Sequence, residues 1–258
     1  MNYSNIISDF TWSYSRISQF EMCPYAFLLR YILHAAKRNL FFSDYGTFMH
    51  KMIEMYLTGV LEKEELSQYY LKKFKSAVIG HAPNENIFKT YFEQGLQYFN
   101  NIDFPYMNLA GIEQRASFVI GDKPFVGIID CIAKDRGGII IVDNKSRALK
   151  ARSARKKPSK SDIELDAYLR QLYMYSIPIK DKFHTYPSRL EFNCFRTGQL
   201  ISEPFREEEL EKTKQWALQS IDTITKNEDW SPKQEYWKCR YLCDCSHECE
   251  YFQMNNGR

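Results

Sequence analysis

The chain has 258 residues, 44% of them apolar and 26% charged, enough for one large domain with a substantial core. Its 35 basic and 32 acidic residues leave a net charge of +3, so any affinity for a polyanion must come from a local patch. No stretch approaches the roughly 20 apolar residues of a membrane helix. The first residues also lack a basic region followed by an apolar run, and the sequence reads as cytoplasmic.

Residues 1–12 form a polar and aromatic lead-in, after which Ser15 suits the N-cap of a helix bearing Ile17 and Phe20 on one face. Pro24 suits the first turn of a second helix running through Leu33. A third is predicted from Asp44 to Leu57, stopping at Gly59. It carries Gly46 and His50, and two readings stand for that histidine: a core-edge side chain or a ligand. Amphipathic helices follow at 62–79 and 85–100.

The periodicity then switches from 3.6 to 2. Gly111–Ile120 reads as a strand and Gly121–Pro124 as a tight turn. Two apolar runs, ending at Asp143, flank Lys134-Asp-Arg-Gly-Gly138 and predict a β-hairpin. A symmetric turn centred between Arg136 and Gly137 sets Asp130 opposite Asp143. Facing Cβ atoms on an antiparallel pair are about 4.5–5.5 Å apart. Two carboxylates that close repel unless a cation lies between them or one is protonated. Lys145, two residues beyond Asp143, projects from the same face. Two acids and an ammonium amid apolar strands suit hydrolysis of a phosphodiester with a hard divalent cation. Glu113 is either a further acid near this site or a solvent-facing strand residue.

From Lys145 to Lys160 there are eight Lys or Arg and no acid, a run suited to phosphate contact and expected to be mobile without DNA. A helix over Asp162–Ile177, ending before Pro178, places Gln171 and Tyr175 on one face. A second hairpin is predicted over 188–195 and 199–203, then a helix over Glu207–Thr225 and an irregular tail from Trp230. The tail holds Cys239, Cys243, Cys245 and Cys249, a density that suits zinc or an iron–sulfur cluster. Cys131 and Cys194 lie in strands and read as inert core residues.

Taken jointly, these blocks resemble the RecB-like branch of the PD-(D/E)XK nucleases, and within it the iron–sulfur members: the AddB nuclease domain and the CRISPR-adaptation-associated exonucleases. The first block is met by Ser13, Ser15, Ile17, Phe20, Cys23, Pro24, Phe27 and Tyr31. Gly46 to His50, Gly127 to Asp130, Asp143-Asn144-Lys145 and Gln171 to Tyr175 supply the next four, and the cysteine tail closes the series. The resemblance implies an α/β fold: a restriction-endonuclease-like mixed sheet flanked by helices, with a helical N-terminal region and a cysteine-rich C-terminal tail. One nuclease domain would span 1–258, divided into helical residues 1–108, a catalytic core at 109–204, and a C-terminal helix and cysteine cluster at 205–258.

The resemblance also implies that His50, Asp130 and Asp143 ligate Mn²⁺ or Mg²⁺ together with the Asn144 carbonyl. Lys145 would orient the attacking water, and Gln171 and Tyr175 would line the DNA path. Cys23 and three tail cysteines would hold a [4Fe–4S] cluster. The family's tail is C-x2-C-x5-C, and here the first gap is wider. Cys239, Cys243 and Cys249 keep the final spacing, while Cys245 is spare or replaces Cys243, and zinc is the alternative occupant. The implied activity is a metal-dependent exonuclease on single-stranded DNA ends, with 5′-to-3′ preference, in DNA repair, recombination or CRISPR spacer processing. A helicase or a CRISPR integrase is the implied partner. The alternative is a non-catalytic DNA-binding scaffold subunit of an end-processing complex.

Overall fold

The computed structural model describes residues 3–106 and 108–256. Helices α1 (Ser4–Ser8), α2 (Tyr14–Met22) and α3 (Pro24–Phe27) open the chain, and α3 widens into a π-helical turn over Leu28–Ile32. The first cap is Ser13 rather than Ser15: its Oγ accepts from Arg16 N at 3.2 Å, and Ser15 instead sits inside the first turn, its hydroxyl against that of Ser13. A three-helix layer follows, α4 (Phe41–Leu57), α5 (Lys63–Ala77) and α6 (Glu85–Asn100). The third helix starts three residues before Asp44, because the Asp44 carboxylate is not spent on its own helix. It accepts from the backbone N–H groups of Ile79 and Gly80 and fixes the α5–α6 connection. Gly80 has to be glycine: an added Cβ would lie 2.3 Å from Phe41 N. Tyr45, Tyr70, Phe74 and Phe99 fill the centre of this layer.

The sheet is β1 (Leu109–Ile120), β2 (Lys123–Asp135), β3 (Gly138–Asn144), β4 (Arg189–Cys194) and β5 (Gln199–Pro204), in spatial order β1-β2-β3-β4-β5. Only β3 and β4 are parallel, and the long helix α7 (Lys160–Phe183) makes the crossover between them. Leu165, Leu169, Leu172 and Ile179 of α7 pack on Ile139, Ile141, Leu190 and Phe192 of the sheet. That packing carries the helix through Pro178, where the expected stop does not occur. Proline inside a helix costs about 3 kcal/mol, and the wholly buried Ile179 one residue later shows what opposes the break.

Helix α8 (Glu207–Thr225) covers the β1–β2 end with Ala217, Ile221 and Ile224. The tail is more regular than its composition suggests, with α9 (Tyr236–Tyr241) and α10 (Glu250–Asn256). No helix among the described residues is long and apolar enough to cross a membrane.

Ser159 and Asp162 cap α7 reciprocally, and Asp162 reaches further to accept from the N–H and hydroxyl of Ser153. Arg147 pairs with Glu164 at 2.5 Å, and Arg152 with Asp166 and Glu203 at 2.6 and 3.0 Å. The basic run is therefore tied down at three points, while Lys150, Arg155, Lys156, Lys157 and Lys160 make no ion pair among the described residues.

Hydrogen bonds from Ser153 and then Ser159 hold the Asp162 carboxyl well below the usual carboxylate range. A carboxyl depressed by folding stabilises above its unfolded value of about 3.9 and loses that contribution as the pH falls through its folded value. Asp162→Ala is expected to raise trypsin cleavage between residues 150 and 160 several-fold at neutral pH. In the unmodified chain, the backbone amides of Ser153 and Ser159 should lose hydrogen-exchange protection only under acid. Unchanged digestion of the variant would contradict this anchoring.

Candidate active site

The β2–β3 turn places Cys131 against Val142, Ile132 against Ile141 and Asp135 against Gly138. Carried one step further, that register sets Asp130 opposite Asp143, as the symmetric turn predicts. Both acids are buried, Asp130 at 8% exposure and Asp143 at 2%. Asp130 Oδ2 accepts from Asn144 N at 2.7 Å. Burial first, and then the nearby Asp143, push the Asp130 carboxyl well above the ordinary range. Two adjacent acids that are hard to ionise together mark a place that favours positive charge.

His50 Nδ1 from α4 stands 3.3 Å from that same Asp130 Oδ2. Burial lowers the His50 pKa, opposed by the attraction of Asp143 and by a hydrogen bond to the Asn144 backbone. The imidazole thus meets the hairpin at both Asp130 and Asn144. Gly46, one turn earlier, is not needed for that approach, since an added Cβ would meet only Ser146 Oγ at 3.9 Å.

Glu113 completes the group. Ile112 pairs with Cys131 and Gln114 with Ile129, so Glu113 falls opposite Asp130. Its φ is +46°, a left-handed value that costs a non-glycine residue energy and that surrounding structure must enforce. The alternation of β2 changes phase at the same level: Ile129 packs with α7, whereas Cys131, two residues on, packs with the opposite cluster. One donor atom each from His50, Glu113 and Asp130 lie within 4.8 Å of one another. Burial and Asp130 raise the Glu113 carboxyl to about 7. Ligands on opposite sides of an octahedral Mg²⁺ are about 4 Å apart, so these donors need to close only slightly to hold such an ion. Among the readings of the sequence, the further acid near the site is therefore the one the geometry favours. The residue-level signal was weak because φ +46° is set by the β1–β2 pairing.

Asp143 stands outside that three-donor group. Its Oδ2 forms an ion pair with Lys145 Nζ at 2.7 Å and has no other polar partner among the described residues. Lys145 Nζ donates to Gln171 Oε1 at 2.9 Å, and Gln171 Nε2 donates to Tyr175 Oη at 3.0 Å. Tyr175 in turn lies on Gly127, where an added Cβ would come 2.3 Å from Cε1 of the ring. Gln171 and Tyr175 thus form a rigid strut between β2 and the lysine. Burial works against the Lys145 ammonium, but Asp143 and Asp130 outweigh it and hold the pKa above the ordinary value. The two acids thus favour the charged form of the lysine. Burial pushes the Tyr175 hydroxyl up to about 12, so it remains a neutral hydrogen-bonding group. The Asn144 side chain links the site to β4: its Oδ1 accepts from Asn193 Nδ2 at 2.8 Å.

Cys23, Cys239, Cys243 and Cys249 line one cavity of about 170 Å³ between the first helices and the tail. Cys245 is buried elsewhere, its Sγ 3.4 Å from Asp244 Oδ1. Arg38 binds the carbonyls of Cys239, Arg240 and Cys243, satisfying the end of α9. Arg30 pairs with Asp244 at 3.1 Å, and Tyr25 Oη donates to Glu250 at 3.0 Å. Tetrahedral zinc, with Zn–S near 2.3 Å, would draw sulfurs to about 3.8 Å from one another. Among the described residues no three cysteine sulfurs lie within 4.8 Å of one another.

A solved structure from Eubacterium rectale, described provisionally as an exonuclease, aligns over 96% of this chain and 94% of its own, with a TM-score of 0.52 and 12% identity. At that identity the likeness speaks for the fold. The structure of SSO0001 aligns over 72% of this chain and 96% of its own at 16% identity, but its TM-score of 0.28 carries no weight. No curated protein matches the sequence. A model of the PD-(D/E)XK nuclease superfamily matches residues 11–250, a span that holds the helical layer, the acidic hairpin and the cysteine tail alike. Sequence and sheet agree over that whole span: the chain belongs to the PD-(D/E)XK nuclease superfamily.

Proposed function

We propose that this chain is a divalent-cation-dependent deoxyribonuclease that works on the ends of single-stranded DNA. The observation that supports it most is the convergence of His50, Glu113 and Asp130 beside the Asp143–Lys145 pair. The donors are one imidazole and hard carboxylate oxygens, the set that Mn²⁺ or Mg²⁺ takes. His50, Asp130, Asp143, Glu113 and the Asn144 carbonyl would hold the ion. When bound, it supplies Lewis-acid polarisation of a phosphate oxygen and a lowered pKa for attacking water. Lys145, kept cationic by its acids, offers a fixed positive charge where phosphate charge develops. Gln171 and Tyr175 position that ammonium and exclude water behind it. The unpaired members of the basic run, Lys150 and Arg155 among them, give a DNA backbone its approach. The 5′-to-3′ polarity, the place in repair or spacer processing, and a helicase or integrase partner rest on the family resemblance.

At the tail, Cys23, Cys239, Cys243 and Cys249 form the set we assign to a [4Fe–4S] cluster. Their shared cavity, which Cys245 does not line, supports that choice of four.

Asp143→Ala and Lys145→Ala are each expected to lower Mn²⁺-supported cleavage of a labelled single strand by at least about a hundredfold, with circular dichroism unchanged. Full activity in either folded variant, or cleavage persisting in EDTA, would remove the assignment.

Glu113→Gln keeps shape and removes charge. At about 4 Å a unit charge is worth several kcal/mol at a protein surface, so Mn²⁺ affinity should fall about tenfold or more. Titration followed by the Mn²⁺ paramagnetic signal reads this without any substrate, and an unaltered dissociation constant would place Glu113 outside the ligand set.

Anaerobically purified protein should be brown, with about four irons per chain, and Cys249→Ser should bleach it while Cys245→Ser does not. A colourless protein with stoichiometric zinc would overturn the cluster.

A further inference from the structure

A cleft of about 460 Å³ lies where α6 ends against the β4–β5 turn. None of the residues assigned to the chemistry lines it, yet it begins two hydrogen bonds from Asp130: Asn144 N donates to Asp130, and Asn193 Nδ2 donates to Asn144 Oδ1. Asn193 sits at the carboxyl end of β4, beside Asn144 at the carboxyl end of β3. In sheets with parallel strands, ligands gather at those ends. From β2 to β4 is two strand spacings, about 10 Å, or roughly three base steps of 3.4 Å along a strand.

The cleft's polar atoms are held in fixed orientations. Asn193 is 8% exposed and donates both amide protons, to Tyr98 Oη and Asn144 Oδ1, each at 2.8 Å. Its Oδ1 accepts nothing among the described residues and is not sealed from solvent. Gln94 Oε1 accepts from Arg196 Nε at 2.8 Å, and its Nε2 donates to nothing among the described residues. Arg196 is clamped on the Tyr91 ring at 3.7 Å, and its Nη2 makes no hydrogen bond among the described residues. Phe104 adds a half-buried aromatic wall. An amide acceptor, an amide donor and an aromatic face are what the edge and face of a base require. A duplex cannot present them here, because its bases are already paired and stacked.

We propose that this cleft receives an unpaired nucleobase of the strand whose phosphate lies at the acidic hairpin, and thereby selects single strands. The proposal rests on the nuclease reading, and its test separates the two. The full chain in EDTA is titrated with a short fluorescein-labelled deoxyadenosine strand and with a labelled abasic strand of the same length. The base-bearing strand should bind about tenfold tighter, the scale of one stacked base. Gln94→Glu, which keeps the acceptor for Arg196 and removes the donors, should bring that ratio close to one, as should Thr197→Trp, which fills the cleft. Taking the ratio cancels any general effect of the added charge on phosphate binding. Equal or undetectable binding of the two strands by the unmodified chain, or a ratio that both variants leave intact, overturns the proposal. Cleavage of the same deoxyadenosine strand with Mn²⁺ is measured in parallel: its absence sinks the nuclease reading, whereas cleavage with base-independent binding sinks the cleft alone.

Discussion

Two carboxylates forced together inside a β-hairpin are the constraint around which the rest of the molecule is arranged. Charges about 5 Å apart repel by roughly 3 kcal/mol even at an effective dielectric of 20. Burial adds to that cost, because neither acid can fall back on water. The neighbours of the pair answer it one by one. Asn144 N and His50 turn toward Asp130, and Lys145 is drawn to Asp143. The balance is left incomplete on the side where Glu113 adds a third acid. An arrangement so unfavourable by itself would be relieved by a cation, as the proposed function requires.

The scaffold's main task is to hold that unfavourable group still. Helix α7 lies along one face of the sheet and reaches the hairpin twice, through Tyr175 on Gly127 and through Gln171 on Lys145. The glycine of the G-x-x-D block matters because a ring occupies the place of its side chain. The helical layer α4–α6 brings His50 to the acidic group, and its packing around Tyr70 and Phe74 fixes where that imidazole points. Left-handed Glu113 is the one conspicuous backbone strain in the site, and it lies opposite Asp130, where the sheet changes phase.

Much of this could be read from residue order alone, for identifiable reasons. The hairpin register is legible because apolar runs of matched length flank a short glycine-containing turn, so pairing partners follow by counting. The QxxxY pair is legible because i and i+4 share a helix face. Glu113 was left between two readings, since its backbone angle depends on a partner strand that no local pattern encodes. Pro178 misleads for a related reason: the propensity to stop is local, and the packing that overrides it comes from a sheet formed by residues far away in sequence. Asp44 looks like a helix start, but its carboxylate serves the backbone at Ile79 and Gly80. Within the tail, cysteine spacing suggested metal binding but gave no sign of α9 and α10, which are stabilised by Arg38, Tyr25 and other early residues.

The closure of the first helices by the last ones bears on how the chain reaches this state. Phe27 stacks against Trp230 at 6.1 Å, Phe20 meets the same indole edge-on, and Arg38 binds carbonyls more than 200 positions later in the sequence. During synthesis residues 20–38 therefore precede these partners by about 200 residues: Phe20 and Phe27 can pack early on each other and on Phe10 and Tyr31, but the face closed by Trp230 waits for the tail. Pairings of such sequence separation form late and slowly.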